Sequence, residues 1–481
     1  MYGIKTRLFT QNIGGETVKR LLAIILIAVL LLTALASCAK ITDEEGSSDS
    51  SYGSDSDGTG DSVLEGDNTE NNAGDGTDAT DTNTNNGTDV NNPQEKPAVS
   101  VKDSTSGLKF KLNEDGASYT LVSKGSATSK SIVIDGYQGL PVTKIGYSAF
   151  ADDTSITSVK IGDYVEIIED QAFSMCSALT SVTFGNGVKF LGDYSFRYCT
   201  ALKSIELGKN LEIIKYGTFY NCKNLVNIKA YGKIRIIEDD AFMKTGYSTV
   251  SSNWKNKVLY IGEHLITAEI NISGKCTVVS GTKTIADNAF SSCASLTGIV
   301  IPDSVQSIGA KAFQRTSKLT SISIGNGVNY IGENAFLNSG YYNASGNWKN
   351  NVLYVGNYIV AAKTALSGSY SVVSGTRVIA DMAFYACDAL TSVAIPDSVV
   401  YVGEYSFLGC TKLAAINIGS GVKEIGVFAF KDCSALKSIT LKNTSGWTVD
   451  GTEISSELLF DKTSAATYIA IYYSSNIWKR G

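Results

Sequence analysis

Histidine, the side chain best suited to moving protons near neutral pH, occurs once in 481 residues, at His264. One imidazole cannot build a His-rich zinc site or an H-E-x-x-H pair, which removes most histidine-dependent enzyme chemistry. Tyr358 holds the corresponding slot 94 residues further on, which argues against a catalytic role for His264. Glu169 and Asp170 fall between Ile168 and Phe173, in a turn, with no fixed partner. Glycosidase-type work needs two carboxylates a set distance apart across a cleft. No G-x-x-x-x-G-K-(S/T) phosphate loop, strand-borne G-x-G-x-x-G or G-x-S-x-G elbow occurs in the body of the chain. Asp55-Ser56-Asp57-Gly58 begins like a calcium loop, but no Glu closes the twelve-residue pattern. These residues predict neither an enzyme nor a bound metal or cofactor.

The cysteines point elsewhere. Of nine, seven share one slot, three residues after a phenylalanine: Cys176, Cys199, Cys222, Cys293, Cys387, Cys410 and Cys433. In other copies the slot holds Asp153, Thr245, Thr316 or Ser339. Replacement by Thr and Ser predicts a small, buried group that hydrogen-bonds a turn carbonyl, with the thiols reduced. Parallel Cβ vectors on stacked coils also stay too far apart for disulfides, and a ladder of thiols does not converge on zinc. Cys276 falls in an inward strand slot instead.

The elements that position these residues repeat. Phe150, Phe173, Phe196, Phe219, Phe242, Phe290, Phe313, Phe336, Phe384, Phe407 and Phe430 are spaced by 23 residues, with two steps of 48. The preceding residue is Ala in eight cases, otherwise Ser195, Thr218 or Ser406. Apolar slots recur in phase, as in Leu179-x-x-Val182-x-Phe184, Val188, Leu191-Gly192, Phe196 and Cys199. A period near 23 predicts one supersecondary coil per repeat, unable to bury its apolar side without neighbours. The L-x-x-I-x-I segment alternates as a strand, so equivalent strands are expected to stack in parallel about 4.8 Å apart, with Phe as a buried ladder. The long steps contain two related inserts, 243–289 and 337–383, offset by 94 throughout. Gly262-Glu263 and Gly356-Asn357 each predict a two-residue β-hairpin, the first joining Val258–Ile261 to His264–Thr267.

The average formal charge of −6 hides a division. Residues 41–95 hold 15 acidic groups and no Lys or Arg, whereas 96–481 hold 36 basic and 31 acidic groups. This mildly basic body is too weakly charged to suggest nucleic acid. From 38 to 99 the chain is mostly Ser, Gly, Asp, Asn and Thr, with too little apolar surface to offset the entropy of ordering, so a disordered tether is expected. As a coil it would span about 45 Å r.m.s., and stretched roughly 200 Å. Ahead of it, Lys5, Arg7, Lys19 and Arg20 precede a fourteen-residue apolar run, Leu21 to Ala34. That length suits a signal peptide rather than a membrane span. Leu35-Ala36-Ser37-Cys38 resembles the lipobox of bacterial lipoproteins. The resemblance implies cleavage after 37, lipid on Cys38, and export to the cell envelope with membrane attachment through acyl chains.

The unit L-x-x-I-x-I-(P/G)-x-x-V-x-x-I-G-x-x-A-F-x-x-C resembles the BspA-like, Treponema-type leucine-rich repeat, over about 128–441. The resemblance implies a mainly β leucine-rich-repeat solenoid with two hairpin-bearing modified coils, displayed on a bacterial surface for adhesion or protein binding. Residues 100–127 then read as an N-terminal cap and 442–481 as a C-terminal one, covering faces that an open array would expose.

Two binding surfaces are candidates. The slot six residues before Phe holds Ile167, Phe190, Ile213 and Ile236 on consecutive coils, then Tyr330 and Tyr401. It lies just before an inward slot, so alternation points it outward, as a possible apolar strip; cover by a turn or neighbouring segment is the alternative. Trp254 and Trp348 could stack on a sugar or protein side chain, or fill the hairpin core. Three functions stay open on these residues: adhesion to a host matrix or cell-surface protein, binding of glycan or cell wall, and a structural surface-layer role.

Overall fold

The structure, a computed structural model, describes residues 101–481. The signal-peptide reading, Cys38 and the tether lie outside the described residues. Among the described residues, no helix is long and apolar enough to cross a membrane.

Each coil opens with a strand of alternating burial. In Ser181–Thr183, Val182 is buried between two exposed hydroxyl residues. The 23-residue period brings equivalent positions opposite one another, so Ser158 pairs in parallel with Ser181 and Val159 with Val182. The same register joins Ile299 to Ile322 and Ile416 to Ile439. A second, two-residue strand follows in every plain coil. Ile167–Ile168, Phe190–Leu191, Ile213–Ile214 and Ile236–Ile237 stack as a narrow parallel sheet, the second residue of each buried. Two parallel strips thus run along a mainly β solenoid.

The third side is a turn that carries the phenylalanines. Their rings stack in three runs: 150 to 242, 290 to 336 and 384 to 430. Neighbouring centroids are 4.8–5.4 Å apart and the ring planes nearly parallel. Burying each ring is worth about 1.5–3 kcal/mol. The backbone here is unusual. The residues two before and two after each Phe adopt positive φ, although most are not glycine: Gln171 and Met175 around Phe173 lie at +57° and +62°. Bonds to the next coil hold them there, Gln171 N–H to Asp193 O at 2.8 Å and Met175 N–H to Arg197 O at 2.7 Å. The Ile-Gly step just before this turn reflects close approach: a Cβ on Gly332 would lie 2.5 Å from Ala310 N.

All eight described cysteines are free and buried. The thiols of Cys176, Cys199, Cys222, Cys410 and Cys433 donate to the carbonyl of the Phe in the preceding coil, at 3.1–3.2 Å. Thr245 and Thr316 bond instead to Phe242 O and Phe313 O within their own coils. Burial pushes the Cys176 and Cys387 thiols up to about 12, so neither is a thiolate near neutral pH.

Each insert forms a three-stranded antiparallel meander. Val258–Ile261 and His264–Ala268 turn at Gly262-Glu263, and Val352–Val355 and Tyr358–Ala362 at Gly356-Asn357. A further strand, Trp254–Lys255, precedes the first pair and turns at Asn256-Lys257, both at positive φ, as a type I′ turn requires. His264 is fully buried, its Nε2 2.8 Å from Tyr231 O, and burial lowers its pKa. Tyr358 does the same job, donating from its hydroxyl to Gly325 O at 2.6 Å. Both side chains tie a hairpin to the coil before it. At the far end, Trp478–Arg480 pairs antiparallel with the last narrow strand, Glu424–Ile425, and covers its edge.

Candidate binding face

The narrow sheet carries the column that alternation directed outward. Lys144, Ile167, Phe190, Ile213 and Ile236 are in register on successive coils. The four apolar side chains are half-buried. Further along, the same slot is Thr284, Ser307 and Tyr330, then Val378, Tyr401 and Glu424. Thr284, Ser307, Val378 and Tyr401 are buried, Tyr401 with 4% exposure. The column is therefore not one open strip; part of the array lies over it.

The inserts explain why. The hairpin strand beginning at His264 pairs with Thr284–Ile285 and bonds back to Tyr231 of the coil before the insert. It acts as a wedge between the two coils at that end. At the other end the coils stay directly bonded, through Asp287 N–H to Ile237 O at 2.9 Å. The second insert repeats this, with Asp381 N–H donating to Ile331 O at 3.0 Å. Two wedges of one hand bend the three runs of coils toward the narrow sheet. Tyr330 and Tyr401 meet with ring centroids 5.6 Å apart, and Arg235 reaches Glu424 at 3.7 Å.

A cleft of about 360 Å³ results. Phe190, Ile213 and Ile236 line it, with Tyr330, Tyr405 and Ile477 from later coils and the C-terminal segment. Its walls are ion-paired: Lys215 with Glu238, and Lys311 with Glu333 at 2.8 Å. Burial alone would lower the Lys215 pKa, but Glu238 raises it and keeps the ammonium charged. Deeper in, Asp381 accepts from the Tyr401 hydroxyl at 2.9 Å and from Glu404 N–H at 2.8 Å. Burial, and then Glu404, push its carboxyl up to about 8, while burial takes Asp287 to about 7. Glu404 is raised as well, again first by burial. An apolar floor inside a charged rim suits an inserted side chain and its polar surroundings.

Trp254 and Trp348 lie on the inserts, half-buried, away from this column. Their indole N–H groups donate to Ser248 O at 2.8 Å and Tyr342 O at 2.7 Å. The half-buried Asp287 and the buried Asp381 escaped sequence reasoning. They sit three residues before Phe290 and Phe384 and correspond across the 94-residue offset, a signal that was available.

Coils of 23 residues stacked in parallel, with in-register strands and a stacked Phe turn, define a leucine-rich-repeat solenoid. The BspA type leucine rich repeat region matches the chain in six copies, over residues 143–273, 283–371 and 377–471. The chain belongs to that family. Among solved structures, it is similar to a leucine rich cell surface protein from Faecalibacterium prausnitzii at 21% identity, covering 71% of this chain and 94% of that one, with a TM-score of 0.26. A T. pallidum leucine rich repeat protein is 16% identical over 69% and 88%, with a TM-score of 0.22. The pneumococcal vaccine antigen PcpA is 16% identical over 72% and 82%, with a TM-score of 0.25. No curated protein matches the chain.

Proposed function

We propose that this chain is a non-catalytic, lipid-anchored bacterial surface protein that binds a protein partner through the cleft between its coil runs. Signal peptide 1–37 is removed, Cys38 carries lipid, and 38–99 is the tether that lets the solenoid 128–441 reach beyond the membrane. Residues 100–127 and 442–481 act as its caps. The observation that supports binding best is the lining of the cleft: Phe190, Ile213 and Ile236 together within charged walls. Apolar surface of this kind, ringed by polar groups, marks interaction sites.

The test is capture of host matrix and bacterial surface fractions by the full chain with Cys38→Ser, which blocks acylation. Saturable protein capture, weakened at least tenfold by Ile213→Ser at unchanged melting temperature, is expected. Retention on polysaccharide instead, or self-association without any ligand, would overturn the reading in favour of glycan binding or a surface-layer role.

A further inference from the structure

The two inserts are copies, and three side-chain hydrogen bonds of their frames recur. Tyr247 and Tyr341 donate to the carbonyls of Tyr260 and Tyr354 at 2.9 and 3.1 Å. Asn253 and Asn347 donate to Tyr247 O and Tyr341 O at 2.9 and 2.8 Å. Each indole N–H bonds the residue six before it. What surrounds the two indoles differs.

Trp348 is met edge-on by the Tyr342 ring, with centroids 5.1 Å apart and planes at 82°, and Lys363 Nζ stands 4.9 Å over its face. The counterparts at Trp254 are Ser248 and Glu269: no ring and no cation. The space follows the substitution. Beside Trp348 the cavity is about 200 Å³ and Tyr342 forms part of its wall. Beside Trp254 it is about 360 Å³, with Trp254 and Leu259 in its wall. Their counterparts, Trp348 and Leu353, do not line the smaller cavity. The charge differs too. Asp240 replaces Asn334, and Glu238 and Lys244 stand where Gly332 and Asn338 do, whereas Asp287 is matched by Asp381 in the smaller cavity.

We infer that the cavity over Trp254 receives a tyrosine side chain of a partner polypeptide, with a basic neighbour of that tyrosine set against Asp239 and Asp240. The second insert shows the bound arrangement made within one chain: an aromatic ring perpendicular to the indole and an ammonium over its face. The first insert keeps the frame, lacks both groups and leaves the room. An edge-to-face ring contact and a cation over indole are each modest contributions, so an isolated segment binds weakly. Glu238 and Asp287 form a wall shared with the cleft described above. The two sites are nonetheless separable, and either can fail while the other stands.

The test is calorimetric titration of the full Cys38→Ser chain with acetyl-Lys-Tyr-Lys-amide, against acetyl-Lys-Ala-Lys-amide and tyramine. One site of millimolar or better affinity for the Tyr peptide is expected, with at least tenfold weaker binding of the Ala peptide. Ser248→Tyr, which installs the ring found in the second insert, weakens binding at least tenfold. Glu269→Lys, at an exposed position that leaves folding intact, weakens it several-fold. No binding, undiminished binding in both variants, or tyramine matching the peptide would overturn the inference.

Discussion

Arg235 and Glu424 form an ion pair at 3.7 Å, although one lies in the coil just before the first insert and the other in the last narrow strand. A straight stack cannot bring them together. Their rungs lie six coil steps apart, about 29 Å at 4.8 Å each. The pair therefore marks how far the two hairpin wedges fold the array onto its own narrow sheet. It reports that bend rather than causing it.

Both side chains are about a quarter exposed, so the pair itself is worth at most about 1 kcal/mol. Arg235→Ala is expected to shift the denaturation midpoint only slightly, and the swapped double variant Arg235→Glu/Glu424→Arg to restore it. A loss above about 3 kcal/mol would mean that the bend hangs on this contact.

The phenylalanine ladder carries far more. Phe196 is fully buried between Phe173 and Phe219, at 5.1 and 5.4 Å. Phe196→Ala is expected to cost about 3–5 kcal/mol, read by urea unfolding and by faster amide exchange in the coils on either side. A cost below about 1 kcal/mol would contradict a packed ladder.

The cysteine slot makes a chemical prediction. The native protein should leave its buried thiols unreactive toward a disulfide reagent, and urea should expose them all as free thiols. Cys222→Thr is expected within about 1 kcal/mol of wild type, because Thr245 and Thr316 fill that slot with a hydrogen bond of their own. Cys222→Val, which lacks the donor, should cost more. Rapid labelling of the folded chain would count against this packing.

Asp381 predicts a pH dependence. Its folded pKa is raised by burial to about 8, against an ordinary value near 3.8. Between those values the folded chain holds a proton that the unfolded chain has released, so stability falls as pH rises. The contribution is fully present below about pH 4 and lost as pH passes about 8; Asp287, at about 7, acts in the same direction. The melting temperature should therefore be higher at pH 5.5 than at pH 8.5. Asp381→Asn should flatten that slope, and an unchanged slope would refute the assignment.

Much of this architecture was readable from residue spacing, because a solenoid writes its period directly into the chain. Phe150 to Phe430, the alternation around Val182, the exchange of Cys222 for Thr245 and the Gly262 turn all report local or nearest-neighbour packing. The positive φ of Gln171 and Met175 was not readable, since only coil-to-coil bonds impose it on residues that are not glycine. Alternation placed Tyr401 outward from its own coil but could not tell that Asp381 and Tyr330 would cover it. That cover depends on the wedges, a tertiary effect. Trp254 and Trp348 looked equivalent because their own positions match; the difference lies six residues earlier, at Ser248 and Tyr342.

The bend toward the narrow sheet creates the cleft, and the distance from 235 to 424 tests it most directly. In the Cys38→Ser chain, spin labels at Arg235→Cys and Glu424→Cys can be placed selectively, because the eight described thiols are buried. Pulsed dipolar spectroscopy should then give a separation below about 20 Å if the coil runs fold together. A narrow distribution near 30 Å or beyond, the spacing of an unbent stack, would show that Phe190, Ile213 and Ile236 face open solvent and that no cleft exists.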